Sequence, residues 1–196
     1  MIDFFNNVIR NKYFKNTTWL FLEKFFRAGV TFLVSIYLIR CLGPYQLGLL
    51  SYAQSYVGIF AGLAKLGMSE ITIKQLVTYP ENKNKILGTS LTLKLVVSIF
   101  VFLLILVSSL IIEETITIQY LIIILSIGLI FSSFDVIDFF FQANVMSKYP
   151  ALIRTFVSVI ISLLKIYLIF IKANLLTFGI VFVFENFLVV VLSIHF

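Results

Sequence analysis

The chain is paced by long apolar runs. Residues 17–39, 47–68, 87–112, 117–141, 151–171 and 175–194 each hold a dominantly apolar stretch, close to the roughly 20 residues that a helix needs to cross about 30 Å of hydrocarbon. What separates the runs agrees with that division. All three prolines, Pro44, Pro80 and Pro150, fall in the breaks and none in a run. Arg40-Cys-Leu-Gly-Pro44 ends the first run, because Gly and Pro stop helices. Ser69 to Ile86 is the one long polar stretch, Glu113-Glu114 is an acidic turn, and Ser147-Lys-Tyr-Pro150 and Lys172-Ala-Asn174 are tight connectors. Strands of a membrane barrel would alternate apolar and polar over about ten residues. Residues 99–107 and 121–125 are instead apolar on every face. The pattern predicts an all-α polytopic membrane protein: an N-terminal segment over 1–16, then six transmembrane helices over 17–196.

Composition closes the other routes. Apolar residues are 61% of the chain and charged residues 12%, against about 45–50% and 25% in soluble domains. No single core of this size would hide that much apolar surface from water. Disordered, disulfide-rich and basic nucleic-acid-binding classes are excluded with it. Cys41 is the lone cysteine and His195 the lone histidine, so no internal disulfide and no Cys/His metal cluster is expected, and no cofactor. The first run carries Glu23, Lys24 and Arg27 and no small-residue cleavage site follows, which fits a retained helix and not a signal peptide.

The net charge of +6 is largely a topology signature. Arg10, Lys12, Lys15, Lys74, Lys83, Lys85 and Lys148 fall on one side of the predicted membrane, and Arg40 and Lys172 on the other. By the positive-inside bias the N-terminus is expected to be cytoplasmic. The aromatics lie mostly within spans, so no nucleic-acid partner is expected. Ile71-Thr-Ile-Lys-Gln-Leu76 has amphipathic spacing and is expected to lie as a helix at the cytoplasmic interface, its lysines meeting membrane lipid headgroups.

Ionisable residues inside the spans carry the functional argument, since each is costly in lipid unless paired, hydrated or snorkelling. Lys65 and Arg154 lie near span ends and have room to snorkel. Glu23, Lys24, Arg27, Lys94, Asp135, Asp138, Lys165 and Glu185 lie deeper. Glu23 and Arg27 are i,i+4 and share a helix face. Ser90, Lys94 and Ser98 form a stripe on the third span; Ser132, Asp135, Asp138 and Gln142 one on the fourth; Arg154, Ser158, Ser162 and Lys165 one on the fifth. Two readings fit such stripes. The four deep cations and four deep anions pair off and tie helices together, or the stripes surround water. Buried pairs are a poor source of stability, which favours the wet cavity. Gly58 and Gly62 make a G-x-x-x-G whose expected meaning is close helix packing.

Several strings resemble a family. Asn16-Thr-Thr-Trp-Leu20 followed by Glu23-Lys24 and Arg27 is similar to the first helix of the polysaccharide (O-antigen type) flippases of the multidrug/oligosaccharidyl-lipid/polysaccharide exporter superfamily. Arg40-Cys-Leu-Gly-Pro-Tyr-Gln-Leu-Gly48 resembles that family's R-x-L-G-P-x-x-F-G turn, with Leu47 in place of the aromatic. Leu66-Gly-Met-Ser-Glu-Ile-Thr-Ile-Lys74 is similar to its L-G-L segment, with Lys74 where Arg is commoner. Phe139-Phe-Phe-Gln142, with Met146 and Pro150 after it, resembles the turn after its fourth helix.

The resemblance implies one six-helix lobe, the N-terminal half, of a two-lobed inner-membrane flippase. Such proteins move undecaprenyl-diphosphate-linked oligosaccharide across the cytoplasmic membrane by alternating access. Lys24, Arg27 and Lys94 then become candidates for the diphosphate. Asp135, Asp138 and Gln142 become candidates for sugar hydroxyls or coupling ions, and Glu23, Lys165 and Glu185 for helix pairing or coupling. The family has 12 or 14 spans, so at 196 residues this chain is expected to be a truncated lobe that needs a C-terminal lobe or a second copy. Alternatives are a lobe of a cation-coupled multidrug exporter and a non-transporting scaffold. A membrane enzyme is least expected, because the longest loop carries no His, Cys or clustered carboxylates.

Overall fold

The computed structural model describes residues 2–65, 67–112 and 115–195, the side chains of 2–16 excepted. The described residues are helical throughout apart from short turns. That is the outcome lipid imposes, since backbone N–H and C=O groups must be satisfied within the segment itself. The helices are α1 (Ile2–Lys65), α2 (Met68–Thr78), α3 (Lys83–Ile112), α4 (Ile116–Ser132), α5 (Val136–Ala143), α6 (Lys148–Phe170) and α7 (Leu175–His195). Glu113-Glu114, Leu66 and the side chains of Arg10, Lys12, Lys15 and Asn16, used in the sequence reading, lie outside the described residues.

Five helical segments are long and apolar enough to cross a membrane, where the sequence predicts six spans. The difference lies in α1, which joins the first two runs across a break at Gly43 (φ 75°, ψ 168°). A positive φ suits glycine, and Pro44 adds the steric bar that a proline sets on the residue before it. The two arms turn back on each other there. Leu38 and Leu47, Ser35 and Ser51, and Thr31 and Gln54 line one cavity, and Ala28 and Val57 line its neighbour.

The fourth span also has an internal break. Ser133–Asp135 is a short 3-10 turn between α4 and α5, and α3 pins it. Ser98 Oγ lies 2.7 Å from Ser133 Oγ, and Ser133 Oγ donates to the carbonyl of Lys94 at 3.3 Å. Ser90, Lys94, Ser98, Val101, Ile105 and Ser109 form the buried face of α3 at helical spacing. Its apolar half joins Leu121, Ile122 and Leu125 of α4, Val157 and Ile161 of α6 and Phe178 of α7 in the main core. A second, smaller core packs Leu76 of α2 against Val136 and Phe139 of α5. Thr72 reaches Ser90 at 3.1 Å beside it. So the Ile71–Leu76 segment is helical and docked on one face, with Ile71 and Val77 left exposed.

The outer surface is apolar: Phe25, Phe100, Ile111 and Phe170 stand out from the bundle, the last 81% exposed. In water such a surface would be a liability; against lipid tails it is the expected solvent contact. Close helix approach occurs at glycines other than those expected. A Cβ on Gly58 or Gly62 would meet nothing within 4 Å, so the G-x-x-x-G brings no helix close among the described residues. The close contact is between α4 and α7, where a Cβ on Gly128 would lie 3.3 Å from Asn186 Nδ2 and one on Gly179 would touch Leu121 and Ile124 at about 3.6 Å.

Candidate functional site

Between the arms of α1 and the inner faces of α4, α6 and α7 lies an open cavity of about 910 Å³. A second cavity of about 240 Å³ shares Thr31, Ser35, Gln54, Lys165, Phe182 and Glu185 with it, so the two make one path. Gly58 and Ala61 line the larger cavity and keep that wall low.

Charge on the path is mostly positive. Among the described residues, Lys24, Arg27, Lys165 and Glu185 are its charged liners, a formal +2. Lys24 is exposed into the cavity and makes no ion pair among the described residues. Arg27 is held from behind, its Nε 3.2 Å from Glu23 Oε1. The Glu23 side chain is 2% exposed and that of Arg27 39%. A buried carboxylate thus sits at the root of the guanidinium in an ion-pair contact without a hydrogen bond, and the two terminal nitrogens make no ion pair among the described residues. That division suits an anion, because the planar fork donates parallel hydrogen bonds to carboxylate or phosphate oxygens. Lys165 Nζ lies 3.3 Å from Glu185 Oε2, with the two side chains 24% and 26% exposed. Ser158 and Ser162 continue the same α6 face toward Lys165 in the smaller cavity.

The remaining predicted site residues sit elsewhere. Lys94 is buried, donates to the carbonyl of Ser132 at 3.4 Å and lies 4.9 Å from the centre of the Phe139 ring. It braces the 3-10 turn and does not line the path. Asp138 is buried and paired with Arg154, and Asp135 stands 4.0 Å from the same guanidinium. Arg154, read from the sequence as a snorkelling residue, is therefore the partner of the fourth span's carboxylates. Gln142 and Glu23 border a small pocket of about 20 Å³ around that pair. Of the three polar stripes, the one on α3 is buried and turned to its neighbours, with Ser90 also at the edge of a separate cavity beside α2. That on α6 divides: Ser158, Ser162 and Lys165 face the path, and Arg154 faces Asp138.

Gln54 and Asn186 also line the cavity and were not singled out from the sequence. The signal existed. Ser51, Gln54, Gly58 and Ala61 recur at three- and four-residue steps in an otherwise apolar run, a neutral polar face that a search for charges passes over. Among the described residues no group of His, Cys, Asp and Glu is arranged to hold a metal ion.

Comparison with known proteins adds one family match. A family model described as "Polysaccharide biosynthesis protein" matches residues 13–196. The chain has no match among curated proteins and none among solved structures.

Proposed function

The chain belongs to the polysaccharide biosynthesis protein family, and from that premise we propose that it moves undecaprenyl-diphosphate-linked oligosaccharide across the cytoplasmic membrane for O-antigen or capsule synthesis. On this reading the chain is the N-terminal lobe of a flippase in the multidrug/oligosaccharidyl-lipid/polysaccharide exporter superfamily. It lies in the inner membrane with its N-terminus cytoplasmic, and works with a C-terminal lobe or a second copy.

One observation carries the reading: Lys24 and Arg27 stand a turn apart on the wall of a cavity of about 910 Å³, with the root of Arg27 fixed by Glu23. That volume is at the upper end of the roughly 300–1,000 Å³ of small-molecule sites. Translocation requires no covalent chemistry. The diphosphate needs charge-assisted donors, which Lys24 and Arg27 supply. The sugars need hydroxyl and amide partners, which Gln54, Ser132 and Asn186 offer along the same walls. The polyprenyl tail stays in the bilayer outside. Rocking of this lobe against its counterpart would then expose the path to one side and the other.

A lobe of an organic-cation exporter would need a free carboxylate on the path. Among the described residues the one lining carboxylate, Glu185, is engaged by Lys165, so the electrostatics favour an anionic cargo. The test is complementation: the gene is expressed in a strain lacking its own flippase, and surface polysaccharide is measured. Neutralising Lys24→Gln with Arg27→Gln is expected to lower the restored polysaccharide, per amount of protein in the membrane, at least about tenfold, the scale of one or two lost charged hydrogen bonds. Undiminished polysaccharide would remove the assigned role.

A further inference from the structure

The level of each charge along the path follows from two contacts between α1 and α6. Lys148 lies over the Trp19 ring, and Cys41 Sγ donates to the carbonyl of Ile169. Residue n of the first arm of α1 therefore runs level with residue n + 128 or n + 129 of α6. Lys165 is thus level with Ile36 or Tyr37, beyond Arg27 by about 14 Å at 1.5 Å per residue. Both cavities reach Lys165, but only the larger one reaches Lys24 and Arg27.

We propose that Lys165 is a second anion station on the path, and that Glu185 is the resident carboxylate that a diphosphate displaces from it. The proposal rests on the flippase reading and deepens it, giving the cargo two cationic stops at different depths. The surroundings of the pair support an exchangeable role. Asp138, bound to Arg154, is enclosed at a seam beside a pocket of only about 20 Å³. Lys165 and Glu185 instead stand at the junction of both cavities, each about a quarter exposed. An ion pair open to water is weak. A diphosphate brings more charge and more acceptor oxygens than one carboxylate, so it competes well for the ammonium. Ser162, three residues before Lys165 and on the wall of the same cavity, adds a hydroxyl to the station.

Glu185 also supplies the release. A translocation path has to bind its cargo firmly enough to admit it and weakly enough to let it go. A carboxylate waiting beside Lys165 returns to the ammonium as the diphosphate leaves, so the station does not hold its cargo.

The experiment titrates inorganic pyrophosphate into the purified protein in lipid nanodiscs by calorimetry. Glu185→Gln frees Lys165 and is expected to tighten binding about two- to fivefold, the reach of a partly exposed ion pair. Adding Lys165→Gln to that variant should abolish the gain. Glu185→Asp, which keeps a carboxylate, should show a smaller gain than Glu185→Gln. Arg27→Gln should weaken binding in both backgrounds. An unchanged affinity in Glu185→Gln, or a gain that survives Lys165→Gln, overturns the second station. If Arg27→Gln still weakens binding in that case, the flippase reading stands without it. If neither Arg27→Gln nor Glu185→Gln alters binding, both readings fall.

Discussion

Each ionisable side chain within the spans has a distinct duty, and the partner decides which. Arg27 is anchored by a residue of its own helix, Glu23, at 3.2 Å. That pairing is readable from i,i+4 spacing alone. Asp138 is anchored by Arg154 from another helix, and no spacing rule reports a contact across helices. Hence Asp138 and Lys94 look like cavity residues in the sequence, although one closes an ion pair and the other braces a turn. The pair has a testable consequence. Arg154→Leu strands a buried carboxylate and is expected to destabilise the protein by about 3 kcal/mol. Replacing both, Asp138→Leu with Arg154→Leu, should recover most of that loss. Unfolding in detergent micelles measures both, and a double variant no better than the single would show that the pair is not the source.

At the scale of elements, apolar runs and prolines are enough to divide the chain, because lipid leaves the backbone no alternative to a helix. The Gly43-Pro44 reversal is equally readable, since only a glycine accepts that φ so cheaply just ahead of a proline. The break in the fourth span is not. Ser132-Ser133-Phe134-Asp135 holds neither Gly nor Pro, and the 3-10 turn there is held by hydrogen bonds from Ser98 and to Lys94 on α3. Ser133→Ala removes both and is expected to cost about 0.6–1.7 kcal/mol, the range for hydrogen bonds between membrane helices. A variant as stable as the parent in the same unfolding assay would mean that backbone preference alone sets the break. The G-x-x-x-G misled for a related reason. It states that one helix face is flat and says nothing of what lies opposite, which at Gly58 is the cavity.

For the whole molecule the result is a bundle with two kinds of interior. One is an apolar core where α1, α3, α4, α6 and α7 meet. The other is a polar path along α1, α4, α6 and α7 that carries a formal +2 among the described residues. The sequence shows that charges balance among the deep residues, but it does not show which of them share a space, because that depends on how six apolar stretches pack. Transport along that path requires it to be wet and able to hold an anion. Single cysteines in a Cys41→Ser background, labelled with a membrane-impermeant maleimide, test this most directly. Positions 54 and 162 are expected to label readily and positions 98 and 105 to stay protected, with inorganic pyrophosphate slowing the reaction at 162. Labelling at 54 and 162 as slow as at 105, or a rate at 162 that pyrophosphate leaves untouched, would contradict the account.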